Sequence, residues 1–442
     1  MANSDSKIPR RVSTALINSL SAGVTPRLGL EYIAVGRKRE IETLLSDLAN
    51  IGEGGSVFRF IVGRYGSGKS FLLQIIRNYA MERGYVVTDA DLSPERKLIG
   101  GNNNGLATYR ELLKNMSSKV RPDGGALTAL LEKWINGISL EVMQQTGLAT
   151  DSPELAPKVE LKIQETISKT DTLVHGYDFS RILLAYWRGW NEGNDDLKNA
   201  AMRWLRGEYT TKADAYSELG VRTIITDETW FDYLKLLSAF ISLLGYKGFI
   251  VLLDEGVNLY KISNTISRNN NYEKLLNMFN DTMQGKVSSM GMYLCGTPQF
   301  IEDMRRGLFS YEALRTRLSS SRFMKDGMKD MQGPLMYLDK LTTEELFVLL
   351  KKVNDLHYQQ FDYVSNLTDD ELLSFMQIVA NRLGADELLT PREVIRDFIG
   401  ILNYIHQNPG SSFINLIGAE DLFKKQAPGS ENDEEGATEF TL

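Results

Sequence analysis

The octapeptide Gly63-Arg64-Tyr65-Gly66-Ser67-Gly68-Lys69-Ser70 constrains this chain more than any other stretch. It satisfies G-x-x-x-x-G-K-[ST] at every fixed position, and its flanks suit that motif. Val57-Phe58-Arg59-Phe60-Ile61-Val62 before it is rich in β-branched and aromatic residues and reads as a buried strand, while Phe71 to Arg83 after it resumes helical periodicity. Strand, glycine-rich turn and helix in that order make a phosphate cradle. Backbone N–H groups turn toward the anion, a lysine neutralises its oxygens, a hydroxyl ligates magnesium, and the helix N-terminus favours negative charge. The expected binding set for ATP and Mg2+ is Gly63, Tyr65, Gly66, Ser67, Gly68, Lys69, Ser70 and Phe71, with Ser70 on the metal. An ordinary glycine-rich turn is the competing reading, and the strand-to-helix context weighs against it.

A second run, Gly248-Phe249-Ile250-Val251-Leu252-Leu253-Asp254, reads as a strand ending in Asp254-Glu255. Ligands of open α/β sheets bind at the carboxyl ends of strands. Asp254 is therefore expected to hold magnesium, and Glu255 to polarise an attacking water. Met292-Tyr293-Leu294-Cys295-Gly296 reads as a further strand, and Thr297 at its end is a candidate to orient the same water, or else a turn residue before Pro298. Cys295 fits core packing.

With Tyr85-Val86-Val87-Thr88-Asp89, these strands alternate with helical segments, which predicts an α/β fold with a mostly parallel sheet. The stretch from about 105 to 245 reads as a helical insertion, including Leu127–Ile135, Ser180–Tyr186, Leu197–Arg206 and Thr229–Leu244. After Thr342 helices return at Leu346–Leu356, Asp369–Arg382 and Pro391–His406, the last two opened by Thr368-Asp369 and Thr390-Pro391. The expected organisation is an N-terminal arm (1–30), a phosphate-loop core (31–335), a helical lid (336–425) and a disordered acidic tail (426–442).

Composition excludes several alternatives. No run approaches the roughly 18 consecutive apolar residues of a membrane span, and the polar N-terminus lacks a secretory core, so a cytoplasmic location without membrane contact is expected. One cysteine excludes an intrachain disulfide, and the three histidines lack metal-type spacing. A net charge of −7 opposes a globally basic nucleic-acid binder, although the acidic tail supplies part of that excess.

Two arginine features remain. Arg315, Arg317 and Arg322 cluster after an expected helix that also contains Arg305 and Arg306. Three readings stay open for them: a finger reaching the γ-phosphate in an adjacent subunit, a solvated basic face, or a phosphate contact to nucleic acid. Arg392, at the start of a lid helix, either reaches back to nucleotide phosphate or is a surface residue.

Together, Ala34-Val35-Gly36-Arg37, the phosphate loop, the Leu253-Asp254-Glu255 strand end and Leu389-Thr390-Pro391-Arg392-Glu393 resemble the BREX-type ATP-binding proteins, BrxD-like ATPases, from Ile8 to about Leu416. The related ATPase of Shango-type operons is similar. The resemblance implies an AAA+ P-loop NTPase, related to origin-recognition-like ATPases and encoded in bacterial antiphage defence operons, often beside a helicase. It implies that Gly36 and Arg37 flank the adenine, that Thr297 takes the first sensor position, often an Asn, and that Arg392 takes the second. The leading expectation is an ATP-hydrolysing homo-oligomer, a ring or filament that engages DNA and drives or licenses a partner helicase or effector. An ATP-gated switch or scaffold with little turnover is the alternative; a phosphotransferase fits less well, because no acceptor-pocket motif accompanies the Asp-Glu strand end.

Overall fold

A computed structural model describes residues 8–170, 173–319, 330–382 and 390–418. Arg322 and the acidic tail lie outside the described residues. The chain divides into two compact units, one of residues 24–346 and one formed by the segment up to Gly23 with residues from Phe347 on.

The first unit is built on five parallel strands: β1 (Ser56–Gly63), β2 (Val86–Asp91), β3 (Phe249–Asp254), β4 (Met290–Gly296) and β5 (Leu335–Leu338), in the order β2-β3-β4-β1-β5. This is an α/β P-loop NTPase fold. β4 lies between β1 and β3, so its end faces the gap between the phosphate loop and the Asp254-Glu255 pair. β5 was not expected from the sequence; it pairs Phe60–Gly63 of β1 with Leu335–Leu338.

Both faces of the sheet are covered, as parallel sheets require. Alternation along β1 sends Phe58, Phe60 and Val62 into one core with Phe279, Val251, Leu253, Met292 and Leu294. Val57 and Ile61 enter the other with Leu252, Tyr293, Cys295 and Met336, against the helices Lys38–Gly52 and Lys69–Glu82. Arg59 breaks the apolar pattern of that second face, and it is only 5% exposed. Its guanidinium pairs bidentately with Asp47, Nη2 lying 2.7 Å from Oδ1, and donates to the carbonyls of Gly333 (2.7 Å) and Met331 (3.1 Å). A buried charge persists only when paired in this way.

Between β2 and β3 the described residues form seven α-helices: Asn104–Lys114, Ala126–Thr146, Leu155–Ile167, Gly176–Glu192, Asp195–Leu205, Lys212–Leu219 and Trp230–Leu243. The expected insertion is thus helical throughout its described regular elements. Buried polar groups fasten its entry. The Asp227 carboxylate accepts from the amides of Gly100 (2.6 Å), Gly105 (2.6 Å) and Leu106 (3.0 Å), satisfying otherwise unpaired donors at a helix start. Asn271, on the helix Thr265–Met283, accepts from the amides of Leu98 (2.9 Å) and Ile99 (3.1 Å), while Trp230 Nε1 donates to Leu98 O (2.9 Å).

The second unit packs the helix Arg10–Ser21 with Asp369–Arg382, Pro391–Gln407, Phe413–Gly418 and the part of Thr343–Phe361 that follows Leu346. Phe375, Phe398 and Phe413 form its aromatic centre, with ring centroids 5.4–6.2 Å apart. Thr390 and Glu393 form a reciprocal capping box at the start of Pro391–Gln407, an arrangement worth about 1 kcal/mol. His357 is buried, with Nδ1 2.9 Å from the Tyr363 hydroxyl and Nε2 2.9 Å from Asn403 Oδ1.

Candidate functional site

The phosphate loop runs from the end of β1 into the helix Lys69–Glu82. Gly66 and Gly68 have φ of 78° and 88°, a left-handed backbone that glycine adopts without steric cost. A Cβ at Gly63 would collide with the Ser67 hydroxyl, so a side chain there would have to displace Ser67. Gly68 caps the helix without any side-chain acceptor, leaving the first amides of Lys69–Glu82 to an external anion. The Ser67 hydroxyl is buried and unpartnered, a polar atom that a phosphate oxygen would satisfy. Lys69 Nζ stands over the loop, 2.9 Å from Gly63 O and 3.0 Å from Arg64 O. Tyr65 is exposed and Phe71 half-buried on either side of this cradle. These features fit a nucleotide's phosphate chain.

Ser70 and Asp254 meet: the Ser70 hydroxyl donates to Asp254 Oδ2 at 2.6 Å, across 184 positions of sequence. The other oxygen, Oδ1, accepts from the Glu255 amide at 2.7 Å. Glu255 has φ of 57°, a left-handed conformation that costs a non-glycine residue of order 1–3 kcal/mol. The next amide, Gly256, donates to Cys295 O on β4 at 2.9 Å, and a Cβ there would strike that carbonyl. The turn after β3 is therefore fixed by its neighbour strand. Among the described residues, no group of three or more His, Cys, Asp or Glu side chains gathers as a metal site. A magnesium ion at a phosphate loop needs few protein ligands, since phosphate and water complete its octahedron, and Ser70 with Asp254 suits that requirement.

Thr297 follows β4, and its hydroxyl accepts from the Phe300 amide at 3.2 Å, capping the short helix Pro298–Glu302. Its hydroxyl proton still allows it to donate elsewhere. Burial pushes the Cys295 thiol well above its ordinary range, which makes it inert core packing.

Arg37 is 6% exposed and makes two charge-assisted bonds: Nη2 donates to Ser67 O at 2.8 Å and to Asp339 O, beyond β5, at 2.6 Å. It thereby fastens the phosphate loop to the end of β5, the edge strand beside β1. Gly36, with φ of 70°, leaves room for the Glu345 carboxylate, which a Cβ would strike.

Arg317 donates through Nε to Asn280 Oδ1 (2.8 Å) and through Nη1 to Ala313 O (2.8 Å); Arg315 sits 3.6 Å from Glu312. Arg305 is exposed, whereas Arg306 packs over the Tyr260 ring and donates to the carbonyls of Tyr260 and Ile262, both at 3.3 Å. Arg392 is an exposed residue of the second unit, beside Gly23.

Sequence reasoning missed Asp91 and Glu345. Asp91 ends β2 in register with Asp254. Desolvation first, then the charges of Asp254, Asp89 and Glu255, raise its carboxyl above the ordinary range. Its place at a strand's carboxyl end was the available signal. Glu345 forms a capping box with Thr342 (Thr342 N to Oε2 2.9 Å, Glu345 N to Oγ1 3.2 Å), a pattern visible as T-x-x-E.

No helix among the described residues is long and apolar enough to cross a membrane. No curated protein matches the chain. A family model described as BREX system ATP-binding protein BrxC/D matches residues 8–421. A parallel sheet with a phosphate loop at its centre, joined to a match over nearly the whole length, leads to one conclusion: the chain belongs to the BREX system ATP-binding protein BrxC/D family.

Proposed function

We propose that the chain hydrolyses Mg-ATP. The observation that carries this is the 2.6 Å bond from Ser70 to Asp254, which joins phosphate loop and strand-end carboxylate into one oxygen set, with Glu255 one residue on. Bound Mg-ATP supplies the electrophilic phosphorus and a cation that spreads its negative charge. The amides of Gly66 to Ser70 and the Lys69 ammonium hold the phosphates, and Ser70 and Asp254 hold the ion. Glu255 orients a water and accepts its proton at a carboxylate oxygen, while the Thr297 hydroxyl fixes that water from the strand between.

Gly36 and Arg37 border the adenine in this reading, and Arg392 reports nucleotide state to the lid. Arg315 or Arg317 stabilises charge at a neighbouring subunit's site within a homo-oligomeric ring or filament. The assembly engages DNA, with exposed basic residues such as Arg305 as a contact surface, and drives or licenses a partner helicase or effector in antiphage defence. Membership of a BREX ATP-binding family supports the defence setting.

Light scattering of the purified chain with and without Mg-ATP and double-stranded DNA, run alongside turnover, tests this reading. A nucleotide-dependent rise in mass with DNA-stimulated turnover is expected. ATP binding with neither would replace it by an ATP-gated switch.

A further inference from the structure

The helical insertion carries a surface that the hydrolysis reading does not use. Tyr177 and Tyr216 are 65% and 51% exposed, although large aromatic rings in the rest of the insertion are mostly buried. They belong to different helices, Gly176–Glu192 and Lys212–Leu219, and residues 220–223 after the second helix meet the first. Thr223 Oγ1 donates to Asp178, the neighbour of Tyr177, at 2.8 Å. Arg181, one turn after Tyr177, reaches to 3.1 Å from where a Cβ on Gly220 would stand, and Gly220 ends the helix of Tyr216. The Arg222 guanidinium lies over the Tyr216 ring, 4.9 Å from its centroid.

Of the nearby carboxylates, Glu218 is paired with Arg203 and accepts from the Tyr209 hydroxyl (2.7 Å), while Asp178 and Asp214 accept from the hydroxyls of Thr223 and Thr211 (2.7 Å) and keep their charge. Among the described residues, Arg181 and Arg222 have no carboxylate partner. Two exposed rings and two guanidiniums without a carboxylate partner thus stand on linked elements of the insertion, with Arg222 covering one face of Tyr216. Such a surface suits a ligand with stackable planes and regularly spaced anions, which describes a single-stranded nucleic acid.

We propose that Tyr177, Arg181, Tyr216 and Arg222 form a single-strand nucleic-acid platform on the insertion. Bases stack on the two tyrosines and phosphates pair with the two arginines. The site is separate from the basic residues near Arg305 and requires no ATP hydrolysis; it rests only on the nucleic-acid engagement in the reading above.

The test is fluorescence anisotropy of the full chain with a dye-labelled oligothymidylate and with a duplex, without nucleotide, over a salt series. Wild type should bind the single strand in preference to the duplex. Tyr177→Ala with Tyr216→Ala should weaken binding about tenfold or more, and the double Phe variant should restore it, because stacking needs the ring and not the hydroxyl. Arg181→Gln with Arg222→Gln should flatten the salt dependence by roughly 0.7 log units per lost contact. ATP binding should be unaltered in all variants, which confirms their fold. Absence of single-strand binding by wild type, or binding insensitive to the Tyr→Ala pair, overturns the proposal. So does loss only in an Arg305→Glu control, which would assign the contact to the other basic surface; loss of turnover alone would bear on hydrolysis and not on this site.

Discussion

Ser70 Oγ lies 2.6 Å from Asp254 Oδ2, so the first turn of a helix and the last residue of a distant strand share one proton-bonded contact. Each comes from a motif that is weak or strong for different reasons. Their meeting follows from the sheet order, which leaves only β4 between β1 and β3.

Lys69→Ala removes the ammonium that stands over the loop, 2.9 Å from Gly63 O. The expected outcome is loss of measurable ATP binding in a titration with a fluorescent ATP analogue. Tight binding by this variant would refute the assignment of the loop.

Arg37→Ala releases Ser67 O and Asp339 O from their shared donor. Loss of charge-assisted bonds worth about 1.5–3 kcal/mol should weaken nucleotide binding on the order of tenfold or more. Inorganic tripolyphosphate, competing against the analogue, separates two roles for this residue. Weakening of both ligands supports bracing of the phosphate loop, whereas weakening of ATP alone supports contact with the base.

Asp47→Ala strands the Arg59 guanidinium inside the second face of the sheet. Breaking a buried pair costs about 3–5 kcal/mol, and the carbonyls of Met331 and Gly333 should keep the loss near the lower end. All five tryptophans lie within residues 24–346, so tryptophan fluorescence during urea denaturation reports the unit that contains this pair. An unchanged midpoint would contradict the account of Arg59.

His357 bears on the second unit's response to acid. Burial is the main cause that lowers its pKa below the ordinary value of 6.5, outweighing the Asn403 contact. The unfolded chain then binds more protons than the folded one between the lowered pKa and about 6.5. Stability from this residue is therefore full above that window and is lost as pH falls through it. The protection of the helix Pro391–Gln407, taken as its hydrogen exchange relative to the intrinsic rate at each pH, should fall below about pH 6.5 in wild type and vary less with pH in His357→Gln. Equal pH dependence in both would remove His357 from the explanation.

The sheet was legible where strands were long and apolar. β1, β3 and β4 announce themselves by β-branched and aromatic runs, and the insertion's helices by their periodicity. β5 escaped because four residues, Leu335–Leu338, carry too little pattern to distinguish a strand from the start of a helix. Ser67 and Arg37 could be named from sequence, but the bond between them could not, since it depends on how the segment before Lys38–Gly52 crosses the sheet. Asp227 and Asn271 were likewise invisible, because their partners are backbone amides more than a hundred residues away.

The most direct test of the central claim is steady-state ATP turnover by wild type and Glu255→Gln, with nucleotide affinity measured in parallel. Glutamine preserves the side chain's shape but cannot accept the proton from water. The account predicts turnover in wild type, its loss by about two orders of magnitude or more in the variant, and unchanged affinity. Equal turnover in the two proteins would contradict the role of Glu255, and absence of turnover in both despite tight binding would make the chain a nucleotide-gated switch.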